Sequence, residues 1–318
     1  MHKKIVVEQI ENHNTLSLLE LWKKQFAYFC SDADLYEFWE NNTQEILEFI
    51  RAHAQTGRGV VARIDNEIVG YLVYDAFCFH GAESAFIPFA GNASIQENRE
   101  IIYSVMYQEL AKTWVNAGIK SHYITIPFSD NHIKNALFDI GFGSYLIDAF
   151  SNLCSANYTF DKSIIIEKAI QQDVSELYDL VKLSNDYYRD SPIYLNRENV
   201  TLEELEKLVY TSNVFVAKHF SRIVGFLNLT IAEEDDVLRM CAKNFGSIDE
   251  IGAYIIKEYR NRNIGNQLLN EAANFCMDNK ISCVHVDFET SNLYANKFWR
   301  KFFNPVMISL KRTIHADI

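Results

Sequence analysis

The stretch Tyr259-Arg260-Asn261-Arg262-Asn263-Ile264-Gly265-Asn266-Gln267-Leu268-Leu269 decides the fold. Ahead of it, Ile251-Gly252-Ala253-Tyr254-Ile255-Ile256 is apolar and β-leaning. Behind it, Leu268-Leu269-Asn270-Glu271-Ala272-Ala273-Asn274-Phe275 repeats its apolar positions at helical spacing. The piece reads as strand, short basic turn, helix. Such a turn aims several backbone N–H groups one way, at the positive end of the helix dipole, and so forms a seat for a pyrophosphate. Gly265 has no Cβ to hold an anion off, and Arg260 and Arg262 bring charge beside it.

Working outward, the 318 residues are 48% hydrophobic and 23% charged, an ordinary globular balance with enough chain for two domains. Cysteines stand at 30, 78, 154, 241, 276 and 283, with no Cys-x-x-Cys pair and no histidine at zinc-ligand spacing. The histidines contain no His-Glu-x-x-His pattern either. This usage predicts a reduced cytoplasmic protein with no metal. Glu8 follows the N-terminal lysines too closely for a signal peptide, and no apolar run is long enough to span a bilayer, so no membrane partner is expected. A net charge of −12 argues against non-specific nucleic-acid binding and favours cationic small molecules.

The chain says the same thing twice. Ile5 to Ile10 opens the first half as a strand and Ile164 to Ala169 the second, each followed by an amphipathic helix, Leu16 to Phe29 and Val174 to Leu183. Paired strands follow: Val60 to Arg63 with Glu67 to Val73, then Val214 to Lys218 with Arg222 to Leu227. The signature Ile68-Val69-Gly70-Tyr71 recurs as Ile223-Val224-Gly225-Phe226, and the strand from Ile119 to Phe128 recurs from Ile281 to Phe288. A repeat at about half the chain length is a duplicated domain, not a solenoid. The polar run from Ser151 to Asn157 places the boundary at 155/156, giving domains 1–155 and 156–318. The element order predicts a mixed α/β architecture, in each half a mostly antiparallel sheet flanked by helices.

The opening stretch resembles motif A of the GCN5-related N-acetyltransferase (GNAT) superfamily, Gln/Arg-x-x-Gly-x-Gly/Ala, which holds the pyrophosphate of acetyl-CoA. It stands here as Arg260-x-x-Asn263-x-Gly265-Asn266. Asn263 replaces the first glycine and is a residue that tolerates a left-handed backbone. Residues Asn292-Leu293-Tyr294-Ala295 to Phe303 resemble the family's motif B, with Trp299 where the family usually has tyrosine. The first half keeps Ile140-Gly141-Phe142, but at motif A it carries Glu97 and Glu100, which would repel a pyrophosphate. The resemblance therefore implies two tandem GNAT-like domains, the first degenerate and the second binding acetyl-CoA. It implies a splayed sheet in which Tyr254, Ile255 and Ile256 hold the pantetheine. Arg260, Asn261, Arg262, Asn263, Ile264, Gly265 and Asn266 would hold the pyrophosphate, with Asn292 and Trp299 beside them.

Acetyl transfer to an amine needs a positioned thioester, a deprotonated nucleophile and support for the oxyanion. Two acids precede the apolar stretch, Asp249 and Glu250. Counting back from Gly265 puts Asp249 at the position of the family's strand-borne glutamate, and strand alternation lets only one of the two face the cleft. Trp299 cannot protonate a thiolate, which leaves Tyr294 as the candidate acid if its helix is rotated. The segments 185–194 and, in the first half, Phe26 to Trp39 mix aromatic and acidic residues that suit an ammonium group. The expected activity is N-acetylation of a primary amine, in a small molecule or a peptide. The alternative is an acyl-CoA-binding sensor without turnover.

Overall fold

The structure, a computed structural model, describes residues 4–153 and 161–315. The boundary expected at 155/156 lies outside the described residues. The chain forms two compact units. One gathers the residues up to Ala149 with Asp235–Ala242 and the segment from Asn304; the other holds Phe150–Glu234 and Lys243–Phe303.

In chain order the first unit runs β1 (Val6–Gln9), α1 (Thr15–Cys30), α2 (Tyr36–Asn41), α3 (Gln44–Thr56), β2 (Gly59–Ile64), β3 (Glu67–Val73), β4 (Asp75–Phe79), β5 (Ala82–Ile87) and β6 (Asn92–Ser94). It continues with α4 (Arg99–Asn116), β7 (Ser121–Pro127), α5 (Asn131–Asp139) and β8 (Gly143–Ser151). Strands β1, β2, β3 and β6 form one antiparallel sheet, while β5 runs parallel to β7 and antiparallel to β4. The second unit runs β9 (Ile164–Lys168), α6 (Val174–Arg189), α7 (Leu202–Thr211), β10 (Asn213–His219), β11 (Arg222–Ile231), β12 (Gly246–Ile248), β13 (Ala253–Ile255), α8 (Ile264–Asp278), β14 (Val284–Glu289) and α9 (Leu293–Trp299). Its sheet is antiparallel through β9, β10 and β11, then adds β12, which is antiparallel to β11 and parallel to β14. The last strand, β15 (Asn304–Thr313), returns to the first unit and pairs antiparallel with β7.

The two units share a local geometry. Each unit turns its central hairpin with two left-handed residues, Asp65 and Asn66 in one, Phe220 and Ser221 in the other. Each hairpin carries a register shift in the same place, after Ala62 and after Ala217. Positive φ at both turn residues matches the twist of the strands they join.

The amphipathic helices bury the faces their periodicity predicts. In α6 the buried stripe is Val174, Leu177, Leu180, Val181, Ser184 and Asn185. Helix α7 starts at a reciprocal capping box, the Thr201 hydroxyl accepting the Glu204 N–H while the Glu204 carboxylate accepts the Thr201 N–H at 2.7 Å. Of the aromatic residues of the first half that the sequence offered as an acceptor wall, Phe26 and Trp39 are core, Phe29, Tyr36 and Phe38 are half-buried and Tyr28 is exposed. Phe26 stacks between Trp22 and Tyr36, and the Trp39 indole donates to the Met240 carbonyl at 2.9 Å. Among the described residues no helix is long and apolar enough to cross a membrane.

Candidate acyl-CoA site

The strand expected to run unbroken from Asp249 to Ile256 is interrupted. β12 ends at Ile248, and Glu250 (φ 55°) and Gly252 (φ 66°) carry the chain round a turn closed by the Gly252 N–H on the Asp249 carbonyl at 2.7 Å. Alternation therefore does not govern Asp249 and Glu250. The break has a larger consequence. β12 pairs with β14 over Ile248 and Val286, whereas β13 pairs with β11. The Asn228 N–H donates to the Gly252 carbonyl and the Ile256 N–H to the Val224 carbonyl. In an antiparallel ladder this parity turns the backbone groups of Ala253 and Ile255 the other way, to the open edge. An extended chain carrying amides can pair with that edge.

The edge runs straight into the start of α8. Asn263, at the place of the motif's first glycine, is the left-handed N-cap, with φ 61°; Asn261 is left-handed as well. The first N–H groups of α8 have no intrahelical acceptor. Gly265 has a packing part as well. A Cβ there would stand 2.9 Å from the Phe298 ring, so its smallness seats α9 against α8.

Arg260 folds back over the strand it follows. Its Nε donates to the Ile255 carbonyl at 3.0 Å, and its guanidinium lies 4.9, 5.4 and 5.3 Å from the rings of Tyr187, Tyr254 and Tyr294. Tyr294 is thus brought to the motif A arginine while remaining 66% exposed. The Asn292 carboxamide caps α9, accepting the Ala295 N–H at 3.1 Å, and accepts the Tyr187 hydroxyl at 3.2 Å. Trp299 is 7% exposed and packs edge-on against Phe303.

The Asp249 carboxylate accepts the Thr230 hydroxyl at 2.6 Å, and its carbonyl accepts the Asn228 amide at 3.1 Å. Glu250 is exposed, and its carbonyl accepts from Arg197 at 3.2 Å. Sequence reasoning missed a third acid, Glu289, at the end of β14. Burial pushes its carboxyl above the usual range and Asp287 adds to this, while Arg197 and a hydrogen bond from Tyr188 pull the other way. Burial likewise raises the Tyr188 phenol, with Glu289 contributing, and the Arg197 guanidinium sits 4.5 Å over the Tyr188 ring. The signal was the run Asp287-Phe288-Glu289, which sets two acids on one face of a strand.

The profile of the acetyltransferase (GNAT) family matches residues 177–304. This chain carries a GNAT-family domain. Among solved structures, a GCN5-related N-acetyltransferase from Sphaerobacter thermophilus is similar at 12% identity and a TM-score of 0.56, over 97% of this chain and 95% of its own. A fungal multi-domain GH3 β-N-acetylglucosaminidase with a GCN5-related glucosamine N-acetyltransferase region is similar at 13% identity and a TM-score of 0.54. That likeness covers 98% of this chain, which spans 38% of the fungal protein's length. At these identities the likeness is one of fold. No curated protein matches the chain.

The first unit repeats the broken strand of the GNAT domain, β5 pairing with β7 and β6 with β3. Its following helix, α4, also opens on a left-handed asparagine, Asn98, with φ 54°. Here the open edge is stitched shut. Asn92 Nδ2 reaches the Thr125 carbonyl on β7 at 2.9 Å, and Gln25 donates to the Asn92 carbonyl at 3.0 Å. Arg99 donates to the Ser94 carbonyl at 3.0 Å, as Arg260 does to Ile255, but Arg99 is 3% exposed and paired with Asp130. Of the two acids expected to repel an anion, Glu100 pairs with His132 at 3.0 Å and Glu97 is exposed. Charge and side-chain filling act together at this edge.

Proposed function

We propose that the GNAT domain binds acetyl-CoA and transfers its acetyl group to a primary amine of a small molecule or peptide. One observation carries this reading: the open β13 edge that leads directly into the N-terminus of α8. The backbone groups of Ala253 and the N–H of Ile255, whose carbonyl Arg260 already engages, would pair with the pantetheine amides. The N–H groups from Asn263 to Asn266, with Arg262, would hold the pyrophosphate. Asp249 would take the proton that an arriving ammonium has to lose, and the acids around the turn favour a cationic acceptor. The first unit would be a tandem copy, 1–155 against 156–318, that keeps the fold and has lost the site. A second reading, acyl-CoA binding without turnover, is favoured by one feature, the burial of Trp299 where the family carries a phenol.

Thiol release from acetyl-CoA across a panel of primary amines separates the two readings; binding without release across the panel would leave the second. Calorimetry on the intact chain is expected to count one acetyl-CoA per chain, and a count of two would overturn the closed first unit. Arg262→Ala is expected to weaken acetyl-CoA binding about tenfold, ~1.4 kcal/mol. It is a cleaner probe than Gly265, whose substitution would collide with Phe298. Unchanged affinity would remove the loop as the seat.

A further inference from the structure

Trp299 stands where the family carries a phenol, and the phenol that α9 does hold, Tyr294, is 66% exposed and lies against the Arg260 guanidinium at 5.3 Å; on the acyl-transfer reading, on which this inference rests, the leaving thiolate draws its proton from another group. We propose that Glu289, held by the Tyr188 hydroxyl, is the proton donor to that thiolate.

The first support is position. Thr230 and Ser247 are cross-strand partners, and Ser247 Oγ meets His285 Nδ1 at 3.1 Å, so these side chains share one face of the sheet. Alternation along β14 puts Asp287 and Glu289 on the same face as His285. The Thr230 hydroxyl on the Asp249 carboxylate places Asp249 there too. The last paired residues of the parallel ladder are Ile248 and Val286. Asp249 and Glu289 therefore follow the ladder on its two strands, where β13 turns away to β11.

The second support is the surroundings of Glu289. Asp249, the proposed base, is held by the Thr230 hydroxyl at 2.6 Å. Glu289 is half-buried, and the groups that face it are Asp287 from its own strand, Tyr188 from α6 and Arg197 from the segment after it. Their balance leaves its proton more firmly held than on an ordinary carboxyl. With Asp249 as the base, a carboxyl so placed takes the part of the acid. The third support is rigidity: Arg197 spans the Tyr188 ring and the Glu250 carbonyl, fixing the phenol that holds Glu289.

In the step, the amine nitrogen bonds to the acetyl carbon and the C–S bond breaks with its electron pair going to sulfur. Sulfur takes the proton of the Glu289 carboxyl. Glu289 regains a proton from solvent or from the one Asp249 removed from the amine.

The test uses the full chain with two acetyl donors, acetyl-CoA and 4-nitrophenyl acetate, and one amine. Glu289→Gln is expected to lower kcat with acetyl-CoA about 10²-fold and to change the 4-nitrophenyl acetate rate little, because that leaving group departs as an anion unaided. KM for acetyl-CoA should hold. The alkaline fall of the wild-type kcat–pH profile should vanish in Glu289→Gln. In Tyr188→Phe it should move to higher pH, since that change removes a group that loosens the Glu289 proton. Should Glu289→Gln fail to fold, the displacement in Tyr188→Phe decides alone. An equal loss with both donors, an unchanged kcat or an unmoved profile overturns the assignment and leaves acyl transfer standing. Wild-type binding without thiol release from any amine overturns both.

Discussion

Replacing Arg99 with methionine is expected to destabilise the first unit by about 3–5 kcal/mol. The guanidinium is 3% exposed and the Asp130 carboxylate 1%, and they meet at 2.8 Å. Arg99 also donates to Gln25 Oε1 at 2.5 Å and to the Ser94 carbonyl at 3.0 Å, and lies 5.0 Å from the Phe29 ring. Methionine fills much of that volume but leaves a carboxylate buried without its counter-charge. That remnant, more than the lost attraction, sets the cost. Asp130 has a second duty, accepting the Ile133 N–H that starts α5 at 3.1 Å. Arg99→Met with Asp130→Asn should therefore be more stable than Arg99→Met alone, because asparagine keeps the cap and removes the charge. Urea unfolding of the three variants checks this. A loss under about 1 kcal/mol for Arg99→Met would mean that water reaches the pair.

The second large effect is catalytic. Asp249→Asn is expected to lower kcat for amine acetylation by about 10²-fold, within the usual range for a general base. Asparagine keeps the shape and the bond from Thr230 while removing basicity. Acetyl-CoA affinity should hardly move, because the seat proposed for it is the loop from Arg260 to Asn266. Raising the pH should return part of the lost rate, as more of the amine arrives neutral. Glu250→Gln is the matched control: Glu250 is exposed in the turn and engages Arg197 through its carbonyl, which the substitution leaves in place. Full kcat in Asp249→Asn at neutral pH would place the base elsewhere.

The fold and the left-handed turn into α8 were legible because their signals are local. Left-handed Asn263 follows from a residue type that, like aspartate, adopts that backbone more readily than most others besides glycine. The shared hairpin geometry was legible because both hairpins carry the same Ile-Val-Gly-aromatic run. The break after Ile248 was not, since an apolar stretch with one glycine reads as continuous strand until the turn at Glu250 is seen. Glu289 was missed, and Tyr188 was read only as part of the 185–194 segment, because the contact that perturbs them joins β14 to α6 across most of the unit. The closed edge of the first unit was read only as charge. What fills it is Arg99, and Asp130, which neutralises it, lies 31 residues away.

The return of β15 to the first unit has a consequence for synthesis. β7 pairs on one side with β5, and its other side is covered only by β15, from Met307 opposite Pro127 to Thr313 opposite Ser121. A nascent chain that has already delivered α1 to α5 still shows β7 as a bare strand edge, with a row of unsatisfied backbone groups. Those groups stay available to other chains until the ribosome has released Thr313. The half of the molecule translated first is thus the half finished last. The interval in which it can pair with a neighbour is set by the time taken to translate the GNAT domain.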